Sequence, residues 1–295
     1  MKEIVELRVN CDYVYLLFKV DESKNLETSV KVVEVDKEDP LYNQISVIRE
    51  EVKNKYGQSL FFGWRIKRKY TKRELALASL LHVKIKTSFE PAGEECGTLY
   101  DETVACSVCG ANRKQLTTLI LKKGKIPKKD IVRTLGGEVV VSKKFVNAVR
   151  QRNLKGLQFI PTNVENYYQL ITNTEVELSS NTIVGIDPWD FSTCSEEREF
   201  TVSGDTPVQF EKEIYKCPKG DTIGLNMLSE PYLLNSKFIG DFDFFSSRQK
   251  VGVKRGLLRP EAIYICSQEF KKMIDEEKLT GIEFEIAHIE SDFSE

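Results

Sequence analysis

The chain has 295 residues, of which 41% are hydrophobic and 30% charged, a globular composition that excludes wholesale disorder. A formal net charge of -2 excludes a global affinity for nucleic acid or anionic membrane, and no apolar run approaches the ~20 residues needed to span a bilayer. The opening Met1-Lys-Glu-Ile-Val-Glu-Leu lacks a basic n-region and a long apolar stretch, and the seven cysteines are an odd number, so the expectation is a cytoplasmic chain with reduced thiols.

In chain order, Glu3 to Val9 and Tyr13 to Val20 read as strands, rich in β-branched and aromatic residues with partial alternation. A turn-like Asp21 to Asn25 follows, then a strand at Val30 to Val35. From Tyr42 to Tyr56, Ile45, Val47, Ile48 and Val52 suit an amphipathic helix ended by Gly57. Leu60 to Ile66 reads as a strand, and Thr71-Lys-Arg-Glu74 as a capping box opening a helix through Leu80 and Leu81. The basic run Arg65, Lys67, Arg68, Lys69, Lys72, Arg73 is read as a solvated connection; the alternative is a surface for phosphate or an acidic partner.

Cys106-Ser-Val-Cys109-Gly110 has the spacing that turns two thiolates onto one ion, with glycine relieving the backbone after the second. Cys96 lies ten residues upstream, a loop length that suits a zinc ribbon. These three cysteines with His82 form the expected site for a structural Zn2+; Asp101, Glu95 or a distant cysteine are alternatives for the fourth ligand. The flanking residues do not suit a thioredoxin-like redox pair. Cys217-Pro-Lys-Gly220 has the same form with its second cysteine lost, and is expected to survive as a turn without metal. Cys11, Cys194 and Cys266 read as buried small apolar residues.

An internal repeat organises the second half. Ser142, Phe145, Leu154, Gly156 and Phe159 recur at one constant offset as Ser267, Phe270, Leu279, Gly281 and Phe284. Each copy follows a β-rich run, Glu138 to Val141 or Ala262 to Ile265. Each then predicts a serine-capped amphipathic helix, a glycine ending it in a left-handed C-cap, and another strand. Upstream, Ile126-Pro-Lys-Lys-Asp130-Ile and Phe238-Ile-Gly-Asp-Phe-Asp243-Phe occupy comparable places before the two units. The expected fold is α+β: an N-terminal module over 1–80, a zinc-knuckle unit over 81–165 and a second, degenerate unit over 166–295.

The series Cys217-Pro-Lys-Gly, Phe242-Asp243-Phe244-Phe245, Ile263 to Phe270 and Leu279-Thr-Gly281-Ile-Glu-Phe284 resembles the bacterial double-CXXCG motif family. The resemblance covers the C-terminal 80 or so residues, with Cys96 to Phe159 as a second copy, and departs from the family at Gly220. It implies an immunity or interaction role against a toxin rather than a defined reaction.

With only His82 and His288, and no Walker loop, Gly-x-Gly-x-x-Gly or nucleophile elbow, the residues offer little for catalysis. His288 reads as a surface residue. The carboxylate pairs Asp187/Asp190 and Asp241/Asp243 read as loop turns and caps. The expectation is a non-enzymatic protein that binds and neutralises another protein, a toxin or a defence factor, including a phage-borne antagonist of host defence. Trp189, Phe191 and Tyr232 are its candidate contact residues, while Phe244 and Phe245 read as core. Nucleic acid is the alternative partner, no membrane role is expected, and a homo-oligomer is compatible with the sequence.

Overall fold

The computed structural model describes residues 1–17, 24–27, 30–190, 197–201, 210–234 and 240–290; of 24–27, 197–201 and 210–214 only the backbone is described. The end of the expected Tyr13–Val20 strand, most of the turn at 21–25, Cys194 and the contact candidate Phe191 lie outside these residues. The architecture is α+β, strand-rich with few helices. No helix among the described residues is long and apolar enough to cross a membrane.

The chain forms two compact units, Met1–Glu74 with Asp187–Trp189, and Leu75–Ile186 with Asp190–Glu295. Residues 81–165, expected as one domain, lie within the second of these, as do 166–186 and 190–295 of the next and residues 75–80 of the expected N-terminal module.

In the first unit, β1 (Lys2–Asn10), β2 (Lys24–Glu27), β3 (Val30–Asp36) and β4 (Phe61–Lys69) form an antiparallel sheet of order β2-β3-β1-β4. Alternation buries Val5, Leu7 and Val9 of β1 with Val33 and Val35 of β3. Helix α1 (Pro40–Tyr56) packs against β3 and buries Ile45 and Val52, two turns apart on one face. Asp39 caps its start, and Gly57 at φ 64° ends it in the left-handed region. Residues Cys11–Leu16, expected as a strand from Tyr13, form a 3-10 helix instead. The Asn10 side chain accepts the Asp12 amide and turns the chain out of the sheet.

Half of the basic run is neutralised within this sheet. Lys67 is paired with Glu6 and Glu34, Arg65 with Glu6, and Arg68 with Glu3. The segment Asp187–Trp189 joins the unit through an Arg49–Asp187 ion pair and a hydrogen bond from Tyr42 Oη to the Pro188 carbonyl at 3.0 Å.

The capping box forms as expected: Thr71 N donates to Glu74 Oε2 at 2.7 Å, and Glu74 N to Thr71 Oγ1 at 3.1 Å. The helix it opens, α2 (Lys72–Leu77), stops early, because Leu80 and Leu81 belong to β5 (Leu80–Ile85). There they pair with strands from the end of the chain, so a tertiary contact overrides a helical pattern.

Past β5 come β6 (Ser88–Phe89), β7 (Tyr100–Asp101), β8 (Lys114–Gln115), β9 (Ile131–Thr134), β10 (Val139–Ser142), α3 (Lys143–Gln151), β11 (Gln158–Pro161) and β12 (Tyr167–Ile171). The short strands β13 (Glu175–Val176), β14 (Val184–Gly185), β15 (Glu197–Thr201), β16 (Phe210–Ile214), β17 (Thr222–Gly224), β18 (Asn226–Met227) and β19 (Tyr232–Leu234) follow. The chain then runs through β20 (Phe244–Val251), β21 (Glu261–Cys266), α4 (Gln268–Glu276) and β22 (Ile282–Glu290).

Two sheets carry the second unit. One has the order β11-β12-β10-β9-β6; the other contains β22-β5-β21-β20 in sequence. In each, a strand preceding a helix pairs antiparallel with the strand before it, and a borrowed strand, β12 or β5, lies between it and the strand after the helix.

The helices start alike. Ser142 Oγ accepts the Phe145 amide and Ser267 Oγ the Phe270 amide, both at 3.2 Å. Each serine in turn donates to an aspartate, Asp130 at 2.9 Å or Asp243 at 2.8 Å. Those aspartates reach across to the other segment. Asp130 accepts the Thr280 amide at 2.9 Å, and Asp243 accepts the Lys155 amide at 2.8 Å.

Gly156 and Gly281 were expected to end the helices, but these end at Gln151 and Glu276. The left-handed residues just beyond are Asn153 and Lys278, both at φ 51°. The glycines are needed for close approach. A Cβ at Gly156 would stand 1.9 Å from the Phe244 carbonyl oxygen, and one at Gly281 would stand 2.1 Å from that of Ile131. Phe145 and Phe270 meet edge-on, 6.1 Å between ring centres, inside the core shared by both helices, where Phe244 is also buried; Phe245 is buried in a neighbouring core.

Candidate metal centre

Two loops of similar closure build the site. In the first, Cys106 N donates to the Ala111 carbonyl and Gly110 N to the Cys106 carbonyl, both at 2.8 Å, with Gly110 at φ 69°. In the second, Cys217 N donates to the Thr222 carbonyl at 2.9 Å and Gly220 N to the Cys217 carbonyl at 3.0 Å, with Gly220 at φ 80°. Each loop therefore closes from a cysteine onto the residue five further on. Lacking a Cβ, each glycine adopts at little cost the positive φ that other residues disfavour.

The loops are tied face to face. Asn112 Nδ2 donates to Asp221 Oδ1 at 3.1 Å, and Lys219 Nζ to Ser107 Oγ at 3.0 Å. Cys106 Sγ stands 3.7 Å from Cys217 Sγ, and Cys217 Sγ 3.8 Å from Asp221 Oδ2. Ligand atoms of Cys106, Cys109, Cys217 and Asp221 all lie within 4.8 Å of one another, with Cys109 and Cys217 buried. Ala111 and Val108 pack around them. Three sulfurs and a carboxylate converging at this range can hold a metal ion.

Burial pushes the Cys109 thiol up to about 11. Burial alone would raise Cys217 as well, but hydrogen bonds from the Lys219 and Asp221 amides, with the neighbouring thiols, hold it below its ordinary value. Cys217 thus gives up its proton more readily than Cys109.

This set differs from the one read in the sequence. Cys106 and Cys109 belong to it; Cys96 and His82 do not. Cys96 ends a 3-10 turn, its amide donating to the Gly93 carbonyl at 3.0 Å. His82 sits on β5 with Nδ1 3.6 Å from Glu285 Oε2. The alternatives Glu95 and Asp101 accept local amides, from Ala92 and Thr103. Cys217, expected to remain as a turn only, stands against Cys106 from 111 residues away. Asp221 was missed. The sequence signal for it was a carboxylate one place after the position where the second cysteine is replaced by Gly220.

An ion-pair network borders the first loop. Glu102 accepts from Lys254 at 3.1 Å and from Arg113 and Arg259 at 3.2 Å each. Burial would raise the Glu102 carboxyl, but these three cations outweigh it and hold it at about 2. Arg113 lies 3.7 Å above the Tyr100 ring, and the buried Glu138 accepts from Tyr100 and Thr134. The Lys254 stem lies against Gly110 so closely that a Cβ there would meet it at 2.4 Å. A cleft of about 800 Å³ adjoins, its lining including Arg113 with Glu138, Arg133 with Glu261 and Lys250 with Glu175, each pair mutually neutralised.

The other sequence candidates have partners inside the fold. Trp189 is half-buried, its ring 4.9 Å from that of Tyr42 and 5.9 Å from that of Phe61. Tyr232 stacks on His288 at 4.6 Å, and His288 bonds to Glu230 at 2.6 Å, so this histidine is not a bare surface residue. Asp187 and Asp243 are occupied by the Arg49 pair and by the Ser267 and Lys155 contacts.

Fold and site together define a strand-rich α+β chain with a cysteine–carboxylate cluster suited to a metal ion. No protein-family model matches the chain, and no curated protein is significantly similar to it.

Proposed function

We propose that the protein is a non-enzymatic binding protein that neutralises another protein, a toxin or a defence factor. In this reading a structural Zn2+ on Cys106, Cys109, Cys217 and Asp221 stiffens the surface it uses. The carrying observation is a set of large apolar side chains left in solvent beside the first loop. Leu99, Val104 and Leu116 are 58%, 54% and 57% exposed. Leu116 N donates to the Leu99 carbonyl at 2.9 Å, so the leucines form a cross-strand pair next to β7 and β8. Clustered exposed apolar residues with a charged rim favour protein contact.

Zinc is favoured by a soft, three-sulfur donor set. Four protein donors fill a tetrahedral ion and leave no position for substrate, which supports a scaffold role. Cysteines kept as unpaired thiols suit a reducing compartment, hence the cytoplasm. In the same reading the second unit is a duplicated strand-helix-strand element whose two loops share one ion, in keeping with the resemblance to the double-CXXCG motif family. The matched Ser142/Ser267, Asp130/Asp243 and Gly156/Gly281 pairs support it.

Elemental analysis should find one zinc per chain. With the partner identified by affinity capture and then purified, Leu99→Ser with Leu116→Ser should keep the zinc and abolish the complex. A complex that survives this change removes the surface from the proposal; a folded chain free of zinc removes the scaffold.

A further inference from the structure

We propose that the loop 122–129 is a second binding surface, one that grips the phosphate backbone of nucleic acid. Lys122, Lys123, Lys125, Lys128 and Lys129 fall within eight residues, and all five are exposed. None has an ion pair or side-chain hydrogen bond among the described residues. Several other cations are paired. Arg65, Lys67, Lys84, Arg113, Arg133 and Lys254 each meet a carboxylate. The carboxylate nearest in sequence, Asp130, is already taken by Ser142 and Thr280.

The loop is held rather than loose. Leu121 exchanges two hydrogen bonds with the Asn163 side chain, at 2.7 and 3.0 Å, and Lys125 N donates to the Lys122 carbonyl at 2.9 Å. Leu121 and Ile126 are buried with Leu119, Val132 and Val140. Anchored apolar residues on one side and free ammonium groups on the other make a fixed array of positive charge. With a net charge of -2 for the chain, any such attraction has to be local.

The chemistry favours nucleic acid over an acidic protein. Protein interfaces exclude lysine from their centre and need apolar or aromatic anchors there. Here the apolar residues point inward, and the loop has no arginine or aromatic residue. Lysine is a point charge that serves any phosphate regardless of base, so binding would be sequence-independent and salt-sensitive. The surface takes no residue from the metal cluster or from the Leu99–Leu116 pair, so it stands or falls independently of them.

The test is fluorescence anisotropy of the full chain with short labelled DNA and RNA duplexes between about 50 and about 200 mM salt. Binding should weaken with salt, and the log–log slope should shrink by about 0.9 for each contacting lysine replaced in the DNA complex. Replacing all five lysines by glutamine should lower affinity more than about tenfold at low salt, while replacing them by arginine should preserve it. No binding at low salt, or equal binding by the glutamine variant, overturns the proposal. A polyglutamate peptide that competes as well as the duplex also overturns it, in favour of an acidic protein.

Discussion

Asp221 stands one residue beyond the position that holds the second cysteine in the first loop, and its carboxylate reaches the same cluster. Zinc retention should therefore separate the cysteines. Cys217→Ser should weaken zinc binding by more than about tenfold, since even supporting residues around a metal cost that much, whereas Cys96→Ser and His82→Gln should leave it unchanged. Competition with a chromogenic chelator measures this, and equal loss in all three variants would contradict the assignment. Glu102 makes a second residue-scale case. Its folded pKa, about 2, lies below the ~4.3 of an unfolded glutamate. Its contribution is thus complete above the unfolded value and disappears as pH falls toward 2. Urea melts from pH 6 down to about 2 should show Glu102→Gln losing less stability than the parent across that window.

At the scale of elements, local rules predicted what local contacts decide. The Ser142 and Ser267 caps, the Thr71–Glu74 box and the Gly57 stop all formed where expected, because each needs partners only three or four residues away. Either serine changed to alanine should cost about 1 kcal/mol. The same rules failed at Gly156 and Gly281, whose constraint comes from a carbonyl on a distant strand. Gly156→Ala and Gly281→Ala should each destabilise by about 2–4 kcal/mol, from positive φ plus a backbone overlap. Denaturant titration distinguishes this from an ordinary C-cap glycine, for which only the left-handed backbone cost of about 1–2 kcal/mol is the expectation. Leu80 and Leu81 failed for a related reason, since their helical spacing yields to pairing with β21 and β22.

For the molecule as a whole, the metal belongs to one unit. Cys106, Cys109, Cys217 and Asp221 all lie in the unit of Leu75–Ile186 and Asp190–Glu295. Chelation should lower hydrogen-exchange protection there and spare the sheet of β1 to β4; a uniform loss across both units would contradict this. The sequence by itself determined the composition class, the helix caps and the first Cys-x-x-Cys-Gly loop, because each depends on neighbours within a few residues. Only the tertiary structure decided that Cys217 and Asp221 join Cys106 and Cys109, since their separation of 111 residues carries no periodic signal. It also decided which cations are free. A basic run looks the same in sequence whether or not the adjoining strand supplies glutamates, as β1 and β3 do for Arg65 and Lys67. Among the described residues no carboxylate pairs with the lysines of 122–129, and that difference is one of pairing in space.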